Sequence, residues 1–537
     1  MITVAPPSPS PLDVDTLMTL LEQRFGAGLA LSREAPGLLV RVLDLSVLRA
    51  LSQFLFWEAG GSFGGLIVEE RLSEWTLQYL FLLRKTGWVD VVVRMPLQQK
   101  TVPSIVAEVH AADWYEREAE DLFGIDFEGH PRLGDFILHD EIWQEHIAPM
   151  RKAFDASAHL FEQQPDEKWR PTLVVQDPGS FAMPVGPVYE GGLGEPIHFL
   201  LETVGEDVIR EVPRLFYKYR AVEKIAEGKL ISDVLLLAER FSATSAFAHS
   251  LAFCQAIENA AQVEVPRRAS RLRVVLAELE RLRHHAGAIV GICQSTALSV
   301  SEAHAAIIEE QLLRASGAFT GHRYLFGLNM PGGLCRDFEE TACLSLLHAV
   351  DDACSQLRTL EDRLRYSSSF LDRLEDVGAI TPESARDLDL VGPVGRASGV
   401  ARDLRKACPY ASYSDYEFDV PRQNEGDGYA RLRVLFAEAR ESARLIHQAV
   451  ESLQPGPISI PVDVPRSSVA FGWAEAPIGA ALHGLRLDSE GLVERYRILT
   501  PSFRNWLGFH VAVEDFAFQD FPIILATFGL SVTECDR

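Results

Sequence analysis

The sequence predicts an α+β protein of at least two domains, a mixed α/β domain followed by a mainly helical one. Three observations carry that expectation. The chain has 537 residues, more than one hydrophobic core usually holds. Runs of β-branched and aromatic residues alternate with short helical patterns in the first 165 residues. From about residue 205 onward long 3.6-residue periodicity takes over, the pattern of a helical bundle. The expected boundaries are an α/β domain over 1–165, a linker over 166–185 and a helical domain over 186–537.

In the first domain, Asp13 to Phe25 reads as an amphipathic helix with an aspartate cap, and Ser46 to Ala59 as a second helix. Gly65 to Glu69, Trp75 to Leu83 and Trp88 to Arg94 read as strands. Val102 to Leu122 reads as one helix whose face carries acid pairs. A polar, proline-containing stretch follows and has the composition of a linker. Beyond it the helical pattern covers Asp233 to Asn259, Pro266 to Gln294, Ser301 to Thr320, Arg336 to Ser369 and Tyr429 to Leu453. Leu230 to Leu251 is the longest apolar helical run, and its Asp233, Glu239 and Arg240 mark it as a buried bundle helix. The acid pair Glu258 and Glu264 reads as solvated helix charge.

Composition excludes several classes. A formal net charge of -25, from 76 acidic against 51 basic residues, argues against nucleic-acid binding, which needs clustered Lys and Arg. No stretch of 18 apolar residues lacks charges, so no transmembrane span is expected. The first residues have neither a basic region nor an apolar core, so no secretory signal is read there and cytoplasmic residence is expected. Seven cysteines are scattered with no CxxC spacing, which argues against a disulfide framework. His284-His285 follows Glu280 at helical spacing, but no third ligand stands nearby, and a packing role is expected.

One run in the first domain is distinctive: Asp113-Trp-Tyr-Glu-Arg-Glu-Ala-Glu-Asp-Leu-Phe-Gly-Ile-Asp-Phe-Glu-Gly-His-Pro131. It resembles the signature of the 30 kDa-type subunit of complex I, a charged helix end followed by a glycine turn and a docking loop. The second domain resembles the complex I 49 kDa-type subunit. It is more similar still to the large subunit of formate hydrogenlyase-type, energy-converting [NiFe] hydrogenases. The resemblance rests on Gly186-Pro187-Val188 with Glu195-Pro196-Ile197-His198-Phe199, Glu239-Arg240 with Ala248-His249-Ser250, Gly392-Pro393 with Arg396-Ala397-Ser398-Gly399, Ala401-Arg402-Asp403, and Ala474-Glu475-Ala476-Pro477. Both domains in one chain, in this order, match the fused arrangement of those hydrogenases.

The thiolates those hydrogenases use are missing. The first family motif resembles ERxCGxCxxAHS, and here its two cysteines are Ser242 and Ser245. The second resembles DPCxxCTDR, and in register its thiolate positions are Ser531 and Glu534, with Cys535 one place too late. Nickel and low-valent iron need soft thiolates, so no metal is expected here and hydrogen activation is not. The resemblance implies that Glu195, Arg240, Arg396, Asp403 and Glu475 line the old cleft as its structural signature. Tyr189, His198 and His249 are the candidates to donate hydrogen bonds or protons to an organic acceptor there.

The resemblance implies an electron-transfer subunit of a membrane-bound oxidoreductase, peripheral on the inner face of the cell membrane. Its implied partners are a small iron-sulfur subunit, a ferredoxin-like iron-sulfur subunit and antiporter-like membrane subunits. The clusters would belong to those partners and none to this chain, with a quinone as the candidate acceptor. The alternatives are a non-catalytic scaffold or coupling subunit and, far behind, a true [NiFe] enzyme with unusual ligands.

Overall fold

A computed structural model describes residues 11–34, 37–139, 143, 147–158, 179–187 and 196–537. The chain divides into two compact units, Met1–Thr172 with Asp387–Asp389, and Leu173–Arg386 with Leu390–Arg537.

The first unit is built on a five-stranded sheet. Helix α1 (Val14–Phe25) is capped by the Asp13 carboxylate, which accepts from Thr16 N. Strands β1 (Leu29–Glu34) and β2 (Gly37–Val42) form a hairpin, and helix α2 (Leu48–Gln53) follows. Strands β3 (Ser62–Glu70), β4 (Glu74–Leu83) and β5 (Gly87–Pro96) complete the order β1-β2-β5-β4-β3. Only the β2–β5 pair of this sheet is parallel. The three strands read from the sequence are these last three, each longer than expected. Strand β3 is buried at every residue, which explains why its glycine-containing sequence does not alternate.

The helix expected over Val102 to Leu122 is half strand and loop. Strand β6 (Thr101–Pro103) pairs in parallel with β7 (Asp126–Glu128), and helix α3 begins only at Asp113 and runs to Phe123. Pro103 cannot donate in a helix interior, and the chain after it is pinned by Glu116, which accepts from Ile105 N and the Ser104 hydroxyl. Gly124 ends α3 with φ +72°, a left-handed C-cap.

The second unit opens with β8 (Ser180–Val185), which falls inside the stretch expected to be linker. It pairs with β9 (His198–Val204), then β10 (Asp207–Arg214), in an antiparallel sheet. Short helix α4 (Val222–Ile225) leads to α5 (Ile231–Arg240) and α6 (Ala246–Ala261). Long helices α7 (Arg267–Ser295) and α8 (Ser299–Thr320) follow, then hairpin β11 (Asn329–Met330) and β12 (Gly333–Leu334). Next come α9 (Glu340–Leu364), the short helices α10 (Ser368–Leu371), α11 (Pro382–Asp387), α12 (Gly392–Ala397) and α13 (Leu404–Ala407), and α14 (Gly428–Glu451). A meander of β13 (Val469–Ala476), β14 (Gly479–Leu487) and β15 (Val493–Leu499) lies on α5 and α6. The chain closes with α15 (Pro501–Val513), β16 (Phe516–Ala517), α16 (Phe521–Phe528) and α17 (Val532–Cys535).

The single helix expected over Leu230 to Leu251 is two, α5 and α6, separated at residues 241–245. Ser242 sits in extended backbone (φ -135°, ψ 104°), and Ala243 to Ser245 form one 3-10 turn. Serine competes with helix hydrogen bonding, and four small residues in a row give little side-chain packing to hold a helix together. The expected solvation of Glu258 is also overturned. Its carboxylate is buried, takes both Arg273 guanidinium arms at 2.7 and 3.0 Å, and accepts from Gly332 N. That pairing, invisible in the sequence, ties α6 to α7 and to the β11–β12 hairpin.

Candidate functional site

The break between α5 and α6 brings Ser242 beside the C-terminal helix α17. Glu534 is fully buried, and its Oε1 lies 3.4 Å from Ser242 Oγ and 3.6 Å from His249 Nε2. Its Oε2 accepts from the Ser502 hydroxyl at 2.8 Å. Ser531 caps α17, accepting from Glu534 N, and its own N–H donates to Ser502 Oγ at 3.1 Å. Ser245 is buried in the same turn, its hydroxyl without a hydrogen-bond partner among the described residues. Three positions aligned with thiolates, Ser242, Ser531 and Glu534, are therefore linked in one hydroxyl–carboxylate cluster.

His249 extends the cluster inward. Its Nδ1 lies 3.0 Å from His483 Nε2, and His483 Nδ1 lies 2.7 Å from the Tyr496 hydroxyl. The His249 ring also packs edge-on against Phe241 at 4.6 Å. Burial, reinforced by His249, drives the His483 pKa well below the ordinary histidine value, so its ring is neutral at pH 7. Neither His483 nor Tyr496 was singled out from the sequence. The available signal was a histidine inside the apolar run GAALHGLRL, where a buried ring nitrogen needs a partner.

The remaining candidates lie elsewhere. His198 opens β9 opposite Arg214, and burial followed by that arginine lowers its pKa. Tyr189 and Glu195 lie outside the described residues. The Arg240 side chain is 57% exposed and reaches over the Phe326 ring at 5.7 Å. The other signature residues form a buried ion network. Arg396 binds Glu438 at 2.5 Å, Glu475 at 2.9 Å and Asp403 at 3.4 Å. Arg405 holds Asp403 at 2.6 Å and Glu278 at 3.0 Å. Burial opposes ionisation of Glu438, but Arg396 and the His285 hydrogen bond outweigh it and hold the carboxyl far below the usual range. His285 spends its Nε2 on that glutamate at 2.9 Å, and no metal-competent group of His, Cys, Asp and Glu occurs among the described residues.

Glu280 closes the opposite side of the turn. Its carboxylate accepts from Phe247 N at 2.7 Å and Ala248 N at 3.0 Å, the free amides at the start of α6. Burial pushes its pKa up to about 7 against Arg283 and those amides.

A cavity of about 570 Å³ runs along the C-terminal segment. Met183 and Val185 of β8, Gln294 of α7, Trp506 of α15, Leu525 of α16 and Val532 of α17 line it. The walls are mainly apolar, and the buried Trp506 indole N–H has no hydrogen-bond partner among the described residues. Gly529, Leu530 and Val532 also face it, flanking Ser531.

Residues 48–160 match the model of the respiratory-chain NADH dehydrogenase 30 kDa subunit, and residues 303–469 match that of the 49 kDa subunit. This chain is a fusion of complex I 30 kDa- and 49 kDa-type domains. Full-length relatives agree with that fusion. Formate hydrogenlyase subunit 5 of Escherichia coli is 28% identical over 92% of this chain and 88% of its own. Hydrogenase-4 component G of the same organism is 26% identical over 97% and 92%. The C/D polypeptide of NADH-quinone oxidoreductase in Methylococcus capsulatus is 28% identical over 87% and 86%. A chain of the archaeal membrane-bound sulfane sulfur reductase shares the fold, with a TM-score of 0.63 at 23% identity over 68% of this chain and 100% of that one. The resemblance read from the residue motifs and the mixed α+β fold class are both borne out.

Proposed function

We propose that this complex I-type fusion is the electron-transfer subunit of a membrane-bound oxidoreductase and delivers electrons to a quinone-type acceptor without activating hydrogen. The observation that supports it is the apolar cavity beside the Ser531 turn, which Trp506 helps to line. Its volume lies within the range of about 300–1,000 Å³ typical of small-molecule sites, and such sites pair apolar walls with few polar groups. A quinone matches on both counts, an apolar ring and tail with carbonyls that accept hydrogen bonds.

On this reading the acceptor lies beside the positions aligned with the thiolates rather than among them; the Glu534 carboxylate, which accepts from Ser242 and Ser502, supports that choice. Electrons would arrive from clusters in a small iron-sulfur subunit and a ferredoxin-like one. This chain keeps no set of thiolates to hold a cluster. No helix among the described residues is long and apolar enough to cross a membrane, which fits a peripheral subunit held by antiporter-like membrane partners on the inner face.

The test uses the intact complex, purified through a tag on this chain, with its clusters reduced anaerobically. Adding a short-chain quinone should reoxidise them, and Leu525→Trp, which fills the cavity, should weaken quinone affinity by about ten-fold or more, the effect of losing roughly 1.4 kcal/mol of binding. Intact clusters that no quinone reoxidises would favour the scaffold reading, for which the filled metal position is the supporting observation.

A further inference from the structure

We propose that Gly291 decides which acceptors enter the cavity and that the Gln294 amide holds their carbonyl, so that α7 is the wall that selects and orients the ligand. The inference rests on the acceptor reading of the cavity. It starts from two glycines four residues apart in α7, Gly287 and Gly291. A glycine inside a helix costs stability relative to alanine, because it loses more backbone freedom on folding. At Gly287 packing explains the choice, since a Cβ there would stand 2.8 Å from Glu309 Oε1 on α8. At Gly291 packing does not. A Cβ built there meets nothing within 4 Å, and the residue lines the cavity. The missing side chain leaves room for a molecule from outside the fold.

The same stripe of α7 carries the polar part of the site. Gln294 and Ser295 stand three and four residues after Gly291, which puts all three on one helix face, and all three line the cavity. Among the described residues that line it none is ionisable, and only Gln294, Ser295 and Trp506 carry a polar side-chain hydrogen. Ser295 gives its own to Ile292 O at 3.0 Å, within the helix. Trp506 is held between Phe199 and Phe509, at ring-centroid distances of 6.2 and 5.5 Å. Gln294 is exposed and its amide makes no hydrogen bond among the described residues, so it is free to turn to a ligand. The last carbonyls of a helix accept hydrogen bonds and offer none. The amide supplies the donor that this end of α7 lacks.

A quinone on this wall keeps one carbonyl oxygen at the Gln294 amide. Gln294 and Gly291 are three residues apart, about 4.5 Å along the helix axis, so the ring of that molecule lies over Gly291. Phe521 and Leu525 of α16 also line the cavity and supply apolar contact. Ring substituents fall into the recess that Gly291 leaves. A fused two-ring quinone needs that recess and a single-ring one does not, so Gly291 admits the wider acceptor.

The experiment is cluster reoxidation in the intact complex by a single-ring and a two-ring short-chain quinone, with KM and kcat read for Gly291→Leu and Gln294→Met beside thermal melting. Leucine is a strong helix former, so Gly291→Leu should leave the melting temperature equal or higher. It should raise KM for the two-ring quinone by roughly ten-fold or more and for the single-ring one far less, since a misfit of one methylene in an apolar site costs about 10–200-fold. Gln294→Met keeps the length and loses the donor. It should raise KM for both quinones by roughly two- to ten-fold, the effect of one lost hydrogen bond, with kcat unchanged. A fall in melting temperature, or equal KM shifts for the two rings, in Gly291→Leu would overturn the role of Gly291. Should that variant fail to assemble, Gly291→Ala must show the same order of KM shifts, and equal shifts overturn the role as well. An unaltered KM in Gln294→Met would remove Gln294 as the carbonyl anchor. Wild-type turnover with both quinones that ignores every substitution overturns this proposal and leaves the acceptor reading standing, whereas intact clusters that neither quinone reoxidises sink that reading itself.

Discussion

Single residues divide here into those whose charge is exposed and those whose charge is built into the core. Arg396 is wholly buried among Glu438, Glu475 and Asp403, whereas Arg240, an arginine of the same cleft signature, is mostly in water. Removing one partner from a buried ion network strands the others, a loss of about 3–5 kcal/mol, while an exposed pair contributes about 0–1 kcal/mol. Arg396→Ala should therefore lower chemical-denaturation stability severely and Arg240→Ala barely. Equal effects would refute the distinction. Glu116 makes a different prediction. Burial pushes its pKa up to about 8, against the hydrogen bonds from Ile105 N and Ser104, so the folded state holds a proton that the unfolded chain releases near 4.5. Its contribution is complete below pH 4.5 and is lost as pH rises toward 8. The melting temperature of the first unit should fall over that window, and Glu116→Gln should flatten the fall. A variant with the wild-type slope would rule Glu116 out as the source.

At the scale of elements, strand β13 lies so close to α6 that Gly472 has no room for a side chain. A Cβ there would stand 2.2 Å from Ala252 O and 2.4 Å from Ala256 N. Gly472→Val should force the sheet off the helix, destabilising by roughly 1–3 kcal/mol or more and displacing His483 from His249. Thermal melting of the variant, beside Gly456→Ala, where a Cβ would meet nothing closer than Arg268 Cβ at 4.0 Å, as control, checks it. The elements were legible in the sequence where period and length agreed, as in α7, α8, α14 and the strands β3 to β5. They were misread where a side chain's partner decided the matter. Residues 241–245 break a continuous apolar pattern because small hydroxyl residues turn there, and Glu258 is buried because Arg273 meets it. Period carries no information about either. The site was half legible for the same reason. The lost thiolates at Ser242, Ser245, Ser531 and Glu534 can be counted in the sequence, but not the His249–His483–Tyr496 chain, which joins residues 234 and 13 positions apart.

The whole molecule carries a formal charge of -25, and its site continues that sign inward. The start of α6 would ordinarily offer free amides and a positive helix dipole to an anion. Here Glu280 already occupies those amides from within the fold. On the other side of the same turn stands Glu534, with no arginine or lysine among the described residues to offset it. On the acceptor reading proposed above, this arrangement should discriminate among electron acceptors by the sign of their charge. An uncharged benzoquinone should reoxidise the complex readily, and a sulfonated or carboxylated analogue of equal potential should do so much more slowly, with the gap narrowing as salt is raised. Equal rates would show that the acceptor never approaches these carboxyls.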